Sequence, residues 1–220
     1  MTQLPKEPVF GDIPQIILGL CGMIILISVL VLLAPIPISN WIMGVMAVQI
    51  GPEQLPRPFG PYPAYVLHVF VHGGWLHLGM NILGLLAFGS PVARWLNARF
   101  GTRNGAMAFL LIFFLTAMVG ALTEGAVIIL GNAPGAVLVG ASGGLMGLIG
   151  VLVRLNYGRE YIPLPLFSRP VLMAALPWVG LNVLVAFFGM PGVSAAVAWP
   201  AHLGGLFAGM VLASAFAPRR

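Results

Sequence analysis

The sequence predicts an all-α membrane protein in which six helices cross the bilayer. Of its 220 residues, 60% are apolar and only 7% are charged, and the mean hydropathy is +1.02. A soluble domain carries about a quarter charged residues to cover its water-facing surface, so a soluble fold is excluded. The apolar residues form runs of about 20, the length that crosses a hydrocarbon core of about 30 Å. The run at 110–115 shows no alternation of polarity, which excludes a transmembrane β-barrel.

Six apolar runs define the expected helices of one membrane domain, residues 1–220. The helices are predicted at about 13–34, 64–89, 105–124, 136–154, 170–189 and 200–217. The first run is longer than the core of a signal peptide, and no small-residue cleavage site follows it, so we expect it to remain as a span. In the long connection 35–63, the apolar piece 41–48 is too short to span and is expected at the membrane interface.

The basic residues predict the orientation of the six helices. With the N-terminus inside, nine of the ten lysines and arginines fall in inner segments, and only Arg57 lies outside. The nine are Lys6, Arg94, Arg99, Arg103, Arg154, Arg159, Arg169, Arg219 and Arg220. Because cytoplasmic loops are enriched in such residues, both termini are expected in the cytoplasm. The net charge of +5 comes from basic residues at helix ends, which set the topology. It therefore does not indicate a nucleic-acid-binding surface, and nucleic-acid binding is excluded.

The four histidines fall in two of the predicted helices. His68, His72 and His77 belong to the outer part of the second helix, and His202 belongs to the outer part of the sixth. Ionisable residues at membrane depth usually line a protein interior or a water-filled cavity. His68 and His72 lie near the outer interface and are expected to be solvated or capping residues, whereas His77 and His202 lie deeper.

Three polar residues are predicted to lie at a common depth. At 1.5 Å per residue, Asn81, Ser142 and His202 lie about 20, 18 and 25 Å from the arginine at the inner end of their helices. In a core of about 30 Å, these depths are about 5 to 12 Å below the outer surface. Side chains from the second, fourth and sixth helices could therefore meet.

Small residues at intervals of four predict close packing of the fourth and sixth helices. They are Gly143 and Gly147 on one helix and Ala201, Gly205 and Gly209 on the other. Such packing would bring His202 to the hydroxyl of Ser142 as a general base, the arrangement of nucleophilic catalysis. A serine at a helix N-terminus also lies beside free N–H groups that can stabilise an oxyanion. The alternative is a packing seam with an incidental serine.

His77 and Asn81 are four residues apart and share one helix face. Both side chains can donate a hydrogen bond toward the same neighbour, and together they could hold a developing oxyanion. The alternative is an interhelical polar clamp, which is common in membrane bundles. By itself, the pair favours the clamp.

The number and positions of the carboxylates exclude the aspartyl and metalloprotease chemistries. The carboxylates are Glu7, Asp12, Glu53, Glu124 and Glu160, and none lies in the middle of a predicted span. An intramembrane aspartyl protease needs two aspartates within the membrane, and the H-E-x-x-H motif of a metalloprotease is absent. The remaining chemistry is a serine with a histidine. Glu124 could orient His202, but we expect it to be a carboxylate of an interfacial loop.

Three motifs resemble those of the rhomboid family of intramembrane serine proteases. They are His72-Gly-Gly-Trp-Leu-His77-Leu-Gly-Met-Asn81, Gly140-Ala-Ser142-Gly143 and Ala201-His202-Leu-Gly-Gly205-Leu-Phe-Ala-Gly209. The resemblance implies a rhomboid-like bundle with Ser142 as nucleophile and His202 as base. It also implies that His77, Asn81 and the N–H of Ser142 bind the oxyanion. By the same resemblance, 35–63 is a membrane-lying loop and 189–199 is a cap over the site.

The chain departs from the family pattern at three positions. Trp41 is followed by Ile42 instead of an arginine, and Ala93 follows Val92 where the family has a glutamate. Met146 occupies the position of a tyrosine that stacks on the catalytic histidine in many members. The sequence therefore leaves open what orients His202, and a contact with Met146 is one candidate.

The predicted function is cleavage of single-span membrane proteins near the outer end of their transmembrane helix. No metal or organic cofactor is needed. The expected location is a bacterial inner membrane, with the site opening to the outer side. Two alternatives are a non-catalytic rhomboid-like protein that binds membrane clients, and a small channel or transporter. The absence of an inverted repeat disfavours the second. The physiological substrate and the oligomeric state are left open.

Overall fold

A computed structural model describes residues 13–52, 55–155, 162–189 and 197–216. This part of the chain is mostly helical, with two short β-strands. Its helices are α1 (Gln15–Leu33), α2 (Ile36–Met46), α3 (Ala64–Leu67), α4 (Trp75–Gly84), α5 (Ser90–Leu130), α6 (Ser142–Arg154), α7 (Arg169–Phe188) and α8 (Trp199–Leu212). A 3₁₀ turn (His68–Phe70) follows α3, and a π-helical turn (Leu85–Gly89) joins α4 to α5.

Three helical segments are long and apolar enough to cross a membrane. They are Gln15–Leu33, Trp75–Leu130 and Arg169–Phe188. The second contains most of two predicted spans, 64–89 and 105–124, and it bends at Gly101, which has a non-helical φ of 77°. Helices α6 and α8 have only 13 and 14 residues. These segments identify a helical membrane protein.

Two predicted helices are wrong in part, and glycines explain why. The second predicted helix is interrupted between the 3₁₀ turn and α4, where Gly74 has a φ of 156°. The fourth was predicted from residue 136, but 136–138 is a strand and α6 begins only at Ser142. Between them, Gly140 has a φ of 107°, which L-residues rarely adopt. The third helix is longer than predicted, because α5 continues to Leu130.

The two strands form a small antiparallel sheet that the sequence did not predict. Strand β1 (Val48–Ile50) pairs with β2 (Ala136–Leu138), with Val48 opposite Leu138. The sheet joins the connection 35–63 to the segment that leads into Ser142. Within that connection α2 includes most of the apolar piece 41–48, and its location at the membrane interface stays a prediction.

Helix α6 lies at the centre of the bundle, against α5 and α8. A Cβ at Gly205 would overlap the carbonyl oxygen of Gly143, and one at Gly209 would overlap that of Gly147. The predicted close packing along these glycines is therefore confirmed. Helix α7 is packed much less tightly, with three of its 20 residues buried compared with nine of 13 in α6.

Several predictions fall on residues outside the described ranges. They concern most of the cap at 189–199 and the charged residues Lys6, Glu7, Asp12, Glu53, Arg159, Glu160, Arg219 and Arg220.

Candidate active site

Ser142 and His202 are in direct contact where α6 and α8 meet. Ser142 is the first residue of α6, and His202 lies in the first turn of α8. The Oγ of Ser142 is 2.8 Å from Nε2 of His202, a hydrogen-bonding distance. The close approach depends on the glycines beside the pair, because Gly205 lies against the backbone of Gly143. Both side chains are partly exposed.

The second ring nitrogen of His202 contacts a residue that the sequence analysis missed. Its Nδ1 lies 2.9 Å from Oδ1 of Asn182 on α7. The Nδ2 of Asn182 donates to the carbonyl of Trp178 over 2.8 Å, which turns Oδ1 toward His202. Because a carbonyl oxygen only accepts, Nδ1 of His202 carries the proton and Nε2 presents a lone pair to Ser142. This is the tautomer that a general base requires.

Asn182 could have been identified as a candidate from the sequence. It is the one amide in the predicted helix 170–189, and it is 4% exposed in the structure. Polar residues in membrane helices usually face the protein interior. The sequence could not indicate its partner, because that depends on how α7 is rotated.

The two residues considered as partners of His202 have other contacts. Met146 is buried in an apolar cluster with Val171 and Leu206. The interpretation of Glu124 as a loop carboxylate is wrong, since it lies inside α5 and is 8% exposed. Its Oε2 accepts a 3.2 Å hydrogen bond from the backbone N–H of Ala201. Glu124 therefore holds the first turn of α8 beside His202.

His77 lies against the segment that precedes Ser142. A Cβ at Gly140 would lie 2.7 Å from both Cε1 and Nε2 of the His77 ring, so only glycine fits there. The Nδ1 of His77 accepts a long, 3.4 Å hydrogen bond from the N–H of Gly73. In the neutral ring, Nε2 then carries the proton, and His77 can donate from its Nε2 edge.

Asn81 is one turn after His77 and is 3% exposed. Its Nδ2 donates to the carbonyl of His77 over 2.9 Å and keeps a second N–H, while its Oδ1 is buried with no partner. Within the described residues, no hydrogen bond joins His77 or Asn81 to Ser142 or His202. The structure thus places His77 beside the segment leading into Ser142, without a direct hydrogen bond between the two pairs.

His72 supports the same segment, and its expected solvation is wrong. It is 2% exposed and lies in the non-helical stretch before α4, next to Gly73 and Gly74. Its Nδ1 is 2.8 Å from Oγ of Ser28 on α1, and that hydroxyl donates to the carbonyl of Phe70. His72 therefore donates through Nδ1, and its Nε2 accepts the N–H of Ala141 over 3.4 Å. The residue before Ser142 is thereby linked to α1.

His68 supports Gly140 through its backbone. Its capping role is confirmed, because it ends α3 and its Nδ1 donates to the carbonyl of Ala64 over 3.0 Å. Of the two expected states, solvated or capping, His68 is in the second, since it is 2% exposed. The carbonyl of His68 accepts the N–H of Gly140 over 2.9 Å. Together, His68 and His72 hold the two residues that precede Ser142.

The described residues contain no group of three His, Cys, Asp or Glu side chains placed to hold a metal ion. The site where α6 and α8 meet contains a serine, Ser142, in contact with a histidine, His202, whose tautomer is fixed by the amide of Asn182.

One known protein family matches most of the chain. The family described as "Rhomboid domain" matches residues 61–219, which include Ser142, His202, Asn182, His77 and Asn81. No curated protein matches the sequence. The matched region is well over half of the 220 residues. The chain belongs to the rhomboid family.

Proposed function

We propose that this protein is an intramembrane serine endopeptidase. Members of the rhomboid family are generally serine proteases of this kind. The observation that carries the proposal is the contact of Ser142 Oγ with His202 Nε2, while His202 Nδ1 is held by Asn182. Ser142 attacks the scissile carbonyl and His202 takes its proton, then delivers it to the leaving amine. Water subsequently hydrolyses the acyl-enzyme, again with His202 as base.

The oxyanion of the tetrahedral intermediate accepts hydrogen bonds from donors on two helices, α6 and α4. The backbone N–H of Ser142 lies in the first turn of α6, whose N–H groups have no partner within the helix. The Nε2–H of His77 and the second N–H of Asn81 lie on α4. This assignment is supported by the close packing of the His77 ring against Gly140 and by the unused donor of Asn81. Preorganised donors of this kind usually stabilise the transition state strongly.

The length of α6 supports a site below the outer surface of the membrane. Its 13 residues extend about 20 Å, less than a hydrocarbon core of about 30 Å. With Arg154 at the inner surface, Ser142 lies about 10 Å below the outer one. The substrates are accordingly single-span membrane proteins, cleaved near the outer end of their helix. The rest of the proposal is one six-span domain in a bacterial inner membrane, with both termini cytoplasmic.

Labelling with a fluorescent serine-reactive phosphonate tests the activated serine. Purified wild type should be labelled, and Ser142→Ala and His202→Ala should not. Ser39→Ala, on α2 and away from the site, is the matched control and should be labelled like wild type. Equal labelling of all variants would mean that the probe reports another site. No labelling of a folded wild type would favour the non-catalytic, client-binding alternative.

A cleavage assay tests the reaction itself. A single-span reporter reconstituted in liposomes should be cut by wild type and by Ser39→Ala, but not by Ser142→Ala. Mass spectrometry of the products gives the cleavage position, which we expect in the outer part of the reporter helix. A cut in its inner half would contradict the proposed depth of Ser142.

A further inference from the structure

One cavity, with polar and apolar residues in its lining, includes neither Ser142 nor His202. Its volume is about 710 Å³, and it opens between the start of α1 and the stretch of α5 around the bend at Gly101. Its polar lining includes Gln15, Arg94, Asn97 and Arg103. The same cavity is bounded by the apolar side chains of Ile13, Ile16 and Ala106.

Within the described ranges, neither arginine of this cavity has an anionic partner. The Nη1 of Arg94 is buried without a hydrogen bond, and so is Oδ1 of Asn97. Among the residues that the structure describes, Glu124 is the one carboxylate, and it is bonded to Ala201 beside the active site. A buried guanidinium nitrogen without a partner is energetically unfavourable. Because two guanidinium groups belong to its lining and no described carboxylate pairs with them, the cavity is electrostatically suited to an anion.

The position of the cavity indicates where that anion comes from. Ile16 precedes Ser28 by twelve residues on α1, which is about 18 Å along the helix. Ser28 is bonded to His72 in the network beside Ser142, so the cavity lies toward the opposite end of α1. A spanning helix begins in the headgroup region of the bilayer, where phospholipid phosphates lie.

We propose that this cavity binds the phosphate group of an anionic phospholipid. Arg94 and Arg103 contact the phosphate, which the planar guanidinium binds well. The amides of Gln15 and Asn97 supply hydrogen bonds to a hydroxylated headgroup, and Ile13 and Ile16 contact the beginning of an acyl chain. Basic pockets between membrane helices bind acidic lipid headgroups by the same chemistry.

Native mass spectrometry of the detergent-purified full chain tests this site. The protein is titrated with phosphatidylglycerol, and separately with phosphatidylcholine, and bound lipid is counted. Each arginine is expected to contribute about five-fold to the affinity for the acidic lipid. Arg103→Gln should therefore lose about five-fold, and Arg94→Gln with Arg103→Gln about 25-fold. Arg169→Gln, an equal charge change at an exposed position on α7, should bind like wild type.

The outcomes separate this site from its alternatives. Equal loss in Arg169→Gln would mean that only net charge matters, and would overturn the proposal. Displacement of the lipid by excess inorganic phosphate would assign the cavity to a soluble phosphate. Stronger lipid binding by Asp12→Asn would indicate an internal ion pair instead. Because Arg103 is exposed, its variant should fold even if Arg94→Gln does not. Binding is measured without proteolysis, so the result is independent of the proposed activity.

Discussion

Replacing Asn182 should slow catalysis without weakening substrate binding. Asn182→Leu preserves the size of the side chain but removes the oxygen that accepts from Nδ1 of His202. When His202 becomes an imidazolium in the transition state, this hydrogen bond gains a charged donor. A hydrogen bond to a charged group contributes about 1.5–3 kcal/mol, which corresponds to a loss in kcat of about 10- to 150-fold. KM should change little, because Asn182 contacts His202 and not the substrate.

The assay is cleavage of a single-span reporter at several concentrations, which gives kcat and KM separately. Asn182→Asp retains an acceptor oxygen and should keep kcat within a few-fold of wild type. Leu181→Ala changes the exposed neighbour of Asn182 and should leave kcat unchanged. A thermal unfolding curve for each variant separates misfolding from a catalytic effect. A folded Asn182→Leu protein with the kcat of wild type would refute a positioning role for Asn182.

Three further substitutions test how the structure holds the site. Gly205→Ala places a methyl group against a facing carbonyl and should destabilise the fold by about 1–3 kcal/mol, whereas Gly180→Ala enters open space and should be neutral or stabilising in thermal unfolding. Ser28→Ala removes the acceptor of His72 and should cost about 1–3 kcal/mol on the same measurement, with Ser39→Ala unchanged. Glu124→Leu removes the acceptor for the N–H of Ala201 at the start of α8 and should reduce phosphonate labelling, while Glu124→Gln should retain the labelling. Equal labelling of the two variants would contradict a role of Glu124 in holding α8.

The sequence predicted that Ser142 and His202 would meet, because the signals for their contact are local. Glycines every fourth residue indicate which helix faces meet, and the depth count aligns Ser142 with His202. The sequence could not indicate the partners of Asn182 and Ser28, because each lies alone in an apolar helix and its partner depends on helix rotation. The strands β1 and β2 have three residues each, too few to show a period. The burial of His72 was not predicted, because an uninterrupted helix was assumed where the structure has a non-helical stretch at Gly73 and Gly74.

The tightly packed helices α6 and α8 set the distance between Ser142 and His202, whereas the loosely packed helix α7 sets the tautomer of His202. Helices α6 and α8 fix the distance between Ser142 and His202 through glycine contacts, which a small outward shift of either helix would open. Helix α7 is held by few buried residues, and Asn182 is one of three. Its bond to His202 therefore couples the tautomer of the base to the position of α7. If α7 moved away, His202 would lose the acceptor that fixes Nδ1–H, and the ring tautomer that faces Ser142 would no longer be set, even with α6 and α8 unmoved. Asn182→Leu already lacks this acceptor. Phosphonate labelling of that variant should therefore no longer change when α7 moves.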